Sequence, residues 1–344
     1  MSWRQTYRWR LHWFDKWERV LDDALDSLPK HPLWPNELLR ILFEAPSPAR
    51  KRIALVLDRG VPIAMVGLRA QGPDCYIPLA QYFIPEFLLV GKQELAESVL
   101  MRLRIPLMVS WWRMPSEPPS LSRTVNSVKT AQHYIADLAE DPEVYWRSSG
   151  HLNTVHRMRN RCREFTFAVN PPDGAEWVIK NWAEHWKIGP EEIEDRVVAA
   201  RYLEGLGKQY SLLLLDGDKV VAGHTFVLHR KDLVWLVTHR DESYDSYGVG
   251  TRLMDLAIHW AKQSGFQHFD LGTTQSYKAR WAPMSSQWWY LLEIRPEFRS
   301  RIHQLMGYGR SLRGVLHDNK LARSVFRCLP RPIRNIVTAP FRER

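Results

Sequence analysis

Apolar residues recur at helical spacing over residues 15–28 and 33–43, and then the pattern changes. Over 51–69 two apolar runs flank Asp58, Arg59 and Gly60, which predicts a two-stranded hairpin around a tight turn. A short strand is expected at 75–79, a short helix at 94–103 and a buried strand at 105–111. Pro115, Pro118 and Pro119 then break the pattern, and 126–140 reads as a helix crossing between two halves. Trp9, Trp13 and Trp17 recur every four positions, the spacing of one helix face.

The second half opens with a basic stretch, 151–165, in which Arg157, Arg159, Arg161 and Arg163 face the single acid Glu164. Amphipathic helices are predicted at 176–186 and 191–206. Three apolar segments, 211–215, 219–229 and 233–240, follow around the turns Asp216-Gly217-Asp218 and Arg230-Lys231-Asp232, a three-strand meander. Residues 251–265 carry Leu253, Met254, Ala257, Ile258 and Ala261 on one helical face, and Gly265 closes that helix. A strand at 266–272 comes next. A shift of 158 residues lays Leu55 to Asp58 over Leu213 to Asp216, and Ile63-Ala64 over Val221-Ala222. The strand–turn–strand grammar is therefore repeated. The fold expected is α/β (α+β): two tandem related units, each a mixed, mostly antiparallel sheet flanked by helices. The units are placed at 1–140 and 141–297, with a basic helical tail at 298–344.

Composition narrows the class. The chain has 344 residues, 45% apolar and 25% charged, as soluble globular proteins have. No uncharged run approaches the roughly 20 residues that cross a bilayer, and the start has no secretion-signal pattern, so a cytoplasmic location is expected. Three scattered cysteines make neither a disulfide framework nor a zinc pattern. Of the net charge of +10, residues 298–344 hold +9, from 11 Arg/Lys against Asp318 and Glu343. A nearly neutral body excludes a nucleic-acid groove across the whole molecule. The tail suits a phosphate, an anionic membrane surface or an acidic partner. The 16 tryptophans serve core packing or a stacking surface for sugar rings.

The candidate chemistry lies between the meander and the strand at 266–272. Tyr247, Gly248, Val249, Gly250, Thr251 and Arg252 form a Gly-x-Gly turn running into a helix. Bare backbone N–H groups and the helix dipole there suit a phosphate, and Arg252 in the first turn could reach one of its oxygens. Lys278 could pair a phosphate or a carboxylate. His224 and His229 stand an odd number of residues apart on one strand and point to opposite faces, so no metal is expected.

Meander, Gly-x-Gly turn, helix and strand in this order resemble the GNAT acyltransferase superfamily. Phe269-Asp270-Leu271-Gly272, followed by Tyr277-Lys278-Ala279-Arg280-Trp281, resembles the signature of its branch associated with cellulose and exopolysaccharide biosynthesis. The basic run 153–165 fits the same branch. The likeness implies that the turn grips the diphosphate of acetyl-CoA or another acyl-CoA, and that the acyl group passes to an amine or hydroxyl of a small-molecule or saccharide acceptor. It implies a backbone splay along 234–240, with His239 or Asp241 as base at its end. Tyr277 would be the proton donor to the leaving thiolate or a hydrogen-bond partner of the substrate, and Asp270 would orient the acceptor or cap the loop. One position departs from the pattern: Asp245 stands where the superfamily has Gln or Arg, and a carboxylate aimed inward would repel a diphosphate. Two rival readings follow. One is a Fem-type aminoacyl transferase, also a tandem of this fold, with tRNA as donor. The other is a non-catalytic scaffold at the inner face of a membrane, docked on a polysaccharide synthase through 298–344.

Overall fold

The computed structural model describes residues 9–294, apart from 72–74, 82, 104, 106, 115–124 and 274. The basic tail expected at 298–344 lies outside the described residues. The first half runs β1 (Trp9–Phe14), α1 (Arg19–Ser27), α2 (Glu37–Glu44), β2 (Lys51–Asp58), β3 (Val61–Ala70), β4 (Tyr76–Pro78), β5 (Val90–Gly91), α3 (Ala96–Arg102), β6 (Leu107–Met114) and β7 (Val125–Asp137). The second runs α4 (Pro142–Ser148), α5 (Leu152–Arg161), β8 (Thr166–Val169), α6 (Gly174–Trp186) and α7 (Pro190–Gly205), then β9 (Gln209–Asp216), β10 (Lys219–His229) and β11 (Asp232–Arg240). It ends with α8 (Val249–Gln263), β12 (His268–Thr273) and β13 (Met284–Ile294).

The strands form one sheet in the order β1-β2-β3-β4-β6-β13-β7-β12-β11-β10-β9-β8, with β5 on β3. Read outward from its middle, the order repeats. The shift of 158 residues carries Lys51–Asp58 onto Gln209–Asp216, and β1 meets β8 as the outer strand of each half. In both halves the fourth and next strands pair in parallel, β4 with β6 and β11 with β12, while the other pairs are antiparallel. The tandem of two mixed, helix-flanked units is thus present. The halves also exchange strands: β7, from the first half, lies against β12, and β13, from the second, lies against β6. Each half on either side of residue 140 therefore lends one strand to the other's part of the sheet.

Two expected helices are strands. Residues 126–140 were to be a crossing helix; instead 125–137 are β7, paired on both sides, with β13 and with β12. Val125, Val128, Thr130 and Ile135 favour a pleated setting, and two ladders of hydrogen bonds outweigh any helical tendency. Trp9 and Trp13 lie on β1, where a spacing of four is twice the strand period. Trp9, Leu11 and Trp13 all pack on one apolar cluster with Val56, Leu68 and Val99.

The halves share a core. Val227, Val234, Ala199 and Leu203 of the second pack among Leu38, Leu42, Met65 and Leu88 of the first. Polar groups stitch the same join. Lys51 gives its ammonium to Asp195 on α7 at 2.6 Å, and His229 meets Glu86 at 2.6 Å. No helix among the described residues is long and apolar enough to cross a membrane.

Candidate active site

Strands β11 and β12 pair only at Asp232/His268, Leu233/Phe269 and Val234/Asp270. Beyond that point β11 runs on to Arg240 and β12 to Thr273 with no pairing between them. A bulge in β11 steps past Leu236 at the same place, since Phe226 faces Trp235 and Thr225 faces Val237. The splay expected along 234–240 is this gap. The edge of β11 that turns away from β10 here has no partner strand among the described residues, so its backbone groups can bind an extended ligand.

Lys278 enters the gap from a short 3-10 turn, Ser276–Arg280. Its ammonium lies 5.0 Å from the centroid of the Trp235 ring. It also lies 3.5 Å from the point where a Cβ on Gly272 would sit. Gly272 has φ +75°, a left-handed backbone that a larger residue would strain. Lys278 is buried; burial pushes its pKa down to about 8, and the charge of Asp270 pulls the other way. Asp270 is itself fully buried where the pairing ends. Its Oδ1 accepts the Gly272 N–H at 2.8 Å and lies 2.7 Å from Nδ1 of His133 on β7. An ionised carboxylate only accepts, which puts the imidazole proton on Nδ1. Behind Trp235 lies His224, its ring 5.0 Å from the indole and 5.8 Å from Phe226. Neither His224 nitrogen has a hydrogen-bond partner, and burial pushes its pKa down to about 3, so the ring is neutral.

The Gly-x-Gly turn stands at the open end. Gly248 has φ +73° and packs on Met158 of α5 with no room for a Cβ. It begins α8 with no side chain to cap it, so the amides of Val249, Gly250 and Thr251 have no acceptor within the helix. Gly248, Gly250 and Thr251 are partly accessible. Asp245 does not turn inward: it is exposed and accepts from Arg240 Nε at 2.7 Å and Nη2 at 3.2 Å, a pairing that lowers its pKa. The expected repulsion is thus offset by the Arg240 guanidinium, whose side-chain stem passes the turn: a Cβ on Gly250 would lie 3.5 Å from Arg240 Cδ. Tyr277 is 41% exposed, and desolvation raises its pKa to about 12 against the opposing pull of Arg240. Such a phenol keeps its proton at neutral pH and can donate it. Tyr247 stacks with Phe165 and Tyr244 beside the turn.

Three expected residues stand elsewhere. Arg252 points into the seam between α5 and α8, where its Nη1 donates to Asp255 at 2.6 Å. His239 lies on the α6 face of the sheet, 5.4 Å from the ring of Trp177, while its neighbour Arg240 faces α8. Burial first, and then His185, push the His239 pKa down. Asp241 accepts from Lys219 at 2.8 Å and from the Ser243 N–H at 2.9 Å; these bonds hold it well below the usual carboxylate range, where it is a weak base. The structure therefore joins Lys278 and Asp270 in the gap, and Gly248 to Thr251 with Tyr277 at its mouth. It adds two residues that the sequence pattern had not singled out, Arg240 and His133. Among the described residues no group of His, Cys, Asp or Glu is placed to hold a metal ion.

Residues 149–279 match the family model of an acetyltransferase (GNAT) domain. FemX superposes with a TM-score of 0.50 at 10% identity, over 85% of this chain and 99% of that one. L-PGS from Bacillus licheniformis aligns at 14% identity and a TM-score of 0.47, over 80% of this chain and 91% of that one. A tandem GNAT protein from the clavulanic acid biosynthesis pathway aligns at 11% identity and 0.45, over 83% and 99%. At these identities the likeness concerns the fold. Among curated proteins, none is similar enough to match.

Proposed function

We propose that the GNAT domain of this chain is an acyltransferase that moves an acyl group from an acyl-CoA thioester to an amine or hydroxyl. The observation that carries this reading is the pairing of an uncapped, accessible amide turn with a gap between strands that holds a buried ammonium. The residues fit the donor's chemistry. The amides of Val249, Gly250 and Thr251, with Arg240 beside them, would hold a diphosphate. The free edge of β11 beyond Val234 would align an extended arm, bringing the acyl carbonyl toward Lys278. As the acceptor attacks, negative charge grows on the acyl oxygen, and the ammonium of Lys278 stabilises it in a site shielded from water. The charge of Asp270, whose carboxylate His133 orients, favours that ammonium against the pull of burial. Tyr277 gives its proton to the departing sulfur and regains one from the attacking nitrogen or oxygen.

The acceptor class we infer is a cell-envelope or exopolysaccharide component, on the strength of the Phe269 to Trp281 pattern. The charge of residues 298–344 supports peripheral contact with an anionic membrane face. A second reading, transfer of an aminoacyl group from tRNA, uses the same ammonium on an ester in place of a thioester. It is favoured by the exposed arginines Arg157, Arg161 and Arg163 beside the turn.

A thermal-shift screen with acetyl-CoA, longer acyl-CoA and aminoacyl-tRNA tests the donor. Saturating ligand at about 100 times its Kd stabilises the fold by about 2.7 kcal/mol. A shift with acyl-CoA that Gly250→Asp abolishes is the expected result. A shift with tRNA alone would move the assignment to the second reading.

A further inference from the structure

We propose that the exposed face of α5, with Arg163 just beyond it, binds the phosphate groups of the donor's nucleotide that lie past the pair on the 248–251 turn. The inference rests on the reading that this turn holds donor phosphates.

Helix α5 has two faces. Leu152, Val155 and Met158 are buried, while Asn153, His156, Arg157, Asn160 and Arg161 are exposed, as is Arg163. The buried face is fastened to the donor turn. Met158 fills the space under Gly248, Arg161 Nη1 donates to the Ser246 carbonyl at 2.6 Å, and Cys162 Sγ lies 3.4 Å from the Tyr247 carbonyl. Arg159 locks the same helix to α8 through two hydrogen bonds to Asp255, 2.9 and 2.7 Å, and a third to Glu143 at 2.6 Å. The helix that carries these cations is therefore held at a set place beside the turn, and Arg161 touches it directly.

Of the charges on that face, Arg161 supports the turn, and Arg157 makes no such contact among the described residues. Arg157 and Arg161 stand four apart on one helix face, where Cβ atoms lie about 5–6 Å from each other and like charges repel. Glu143 is already engaged by Arg159, and Glu164 reaches only Arg163, at 2.9 Å. Arg157 meets no acceptor among the described residues. An anion resting there relieves the repulsion and adds charge-assisted hydrogen bonds. Its chemistry is a nucleotide phosphate lying past the pair on the turn. A free coenzyme A supplies that group as its 3′-phosphate, and the end of a tRNA supplies it as backbone phosphodiesters.

The test compares wild type with an Arg157→Ala/Arg163→Ala double variant. Arg161 is kept because it supports the turn, and both substituted side chains are exposed, so the fold is unaffected; circular dichroism checks this. Binding is measured by calorimetry for CoA, for 3′-dephospho-CoA, and for an RNA hairpin ending in an unpaired 3′ adenosine. The expected result is that wild type binds CoA about tenfold more tightly than dephospho-CoA. In the double variant the two bind alike, and dephospho-CoA binds both proteins equally. If the variant keeps the wild-type preference for CoA, or if wild type has none, the inference falls while the proposed donor stands. If wild type binds RNA and not CoA, the donor reading falls. The α5 site then stands only if the variant weakens RNA binding and lowers its salt dependence by about one to two. If wild type binds none of the three, both fall.

Discussion

The ammonium of Lys278 rests against the indole of Trp235, 5.0 Å from the ring centroid, at the point where β11 and β12 part. The ring face offsets some of the lost hydration, yet the charge remains costly. A pKa lowered from 10.5 to about 8 corresponds to on the order of 3 kcal/mol against folding at neutral pH. Lys278→Met should therefore raise the melting temperature while lowering kcat/KM by about 100-fold or more. Thermal melts and steady-state kinetics on one preparation check both halves of this. A loss of stability together with activity would sink the idea that this ammonium is held for catalysis.

The same group sets two pH dependences. Activity that needs the ammonium declines as pH rises through about 8. Stability moves the other way: the folded pKa lies below the unfolded one, so the penalty is complete below about 8 and fades between 8 and 10.5. Removing the carboxylate in Asp270→Asn leaves the ammonium less supported, and the alkaline limb of the activity profile should shift to lower pH. A pH series of kcat/KM for wild type and variant decides this. An unmoved limb would separate Asp270 from Lys278.

The two glycines of the donor turn should respond differently. Gly248→Ala places a Cβ on a left-handed backbone and against Met158, which should cost about 3 kcal/mol in chemical denaturation. A Cβ on Gly250 meets only Arg240 Cδ at an ordinary 3.5 Å, so Gly250→Ala should fold as wild type does. If Gly250→Ala weakens acyl-CoA binding with its stability intact, the defect belongs to the ligand site.

Asp255 should govern acid sensitivity. Burial works against its charge, and hydrogen bonds from Arg159 and His259 overcome this, holding its carboxyl well below the usual range. With the folded pKa depressed, its stabilisation is complete above about 3.8 and is lost as pH falls further. Asp255→Asn leaves Arg159 and Arg252 without their buried counter-charge and should cost about 3 kcal/mol or more at pH 7. The gap between variant and wild type should narrow in urea melts taken toward pH 2.

Much of this was legible in the chain. The strand–turn–strand grammar of each half, the meander, the Gly-x-Gly turn and the stretch from Asp270 to Lys278 are local patterns, set by neighbours a few positions apart. The strand β7 was hidden because its stability comes from partners on both sides that are remote in sequence. His133 was hidden for the same reason, as it stands 137 positions from Asp270. Asp245 looked hostile to a diphosphate until Arg240, five residues earlier, took up its charge. Arg252 looked like a phosphate ligand because its place in the first helical turn is visible in sequence, whereas the buried Asp255 that claims it is not.

The exchange of β7 and β13 bears on how the chain is made. A ribosome releases β6 long before β13, the strand that covers its free side. At cellular rates of synthesis the wait is on the order of ten seconds. Through that interval the nascent amino-terminal half carries an open sheet margin, able to recruit a stray strand from another polypeptide. Holding factors at the exit tunnel should matter more for this protein than for a domain of its size that closes as it emerges.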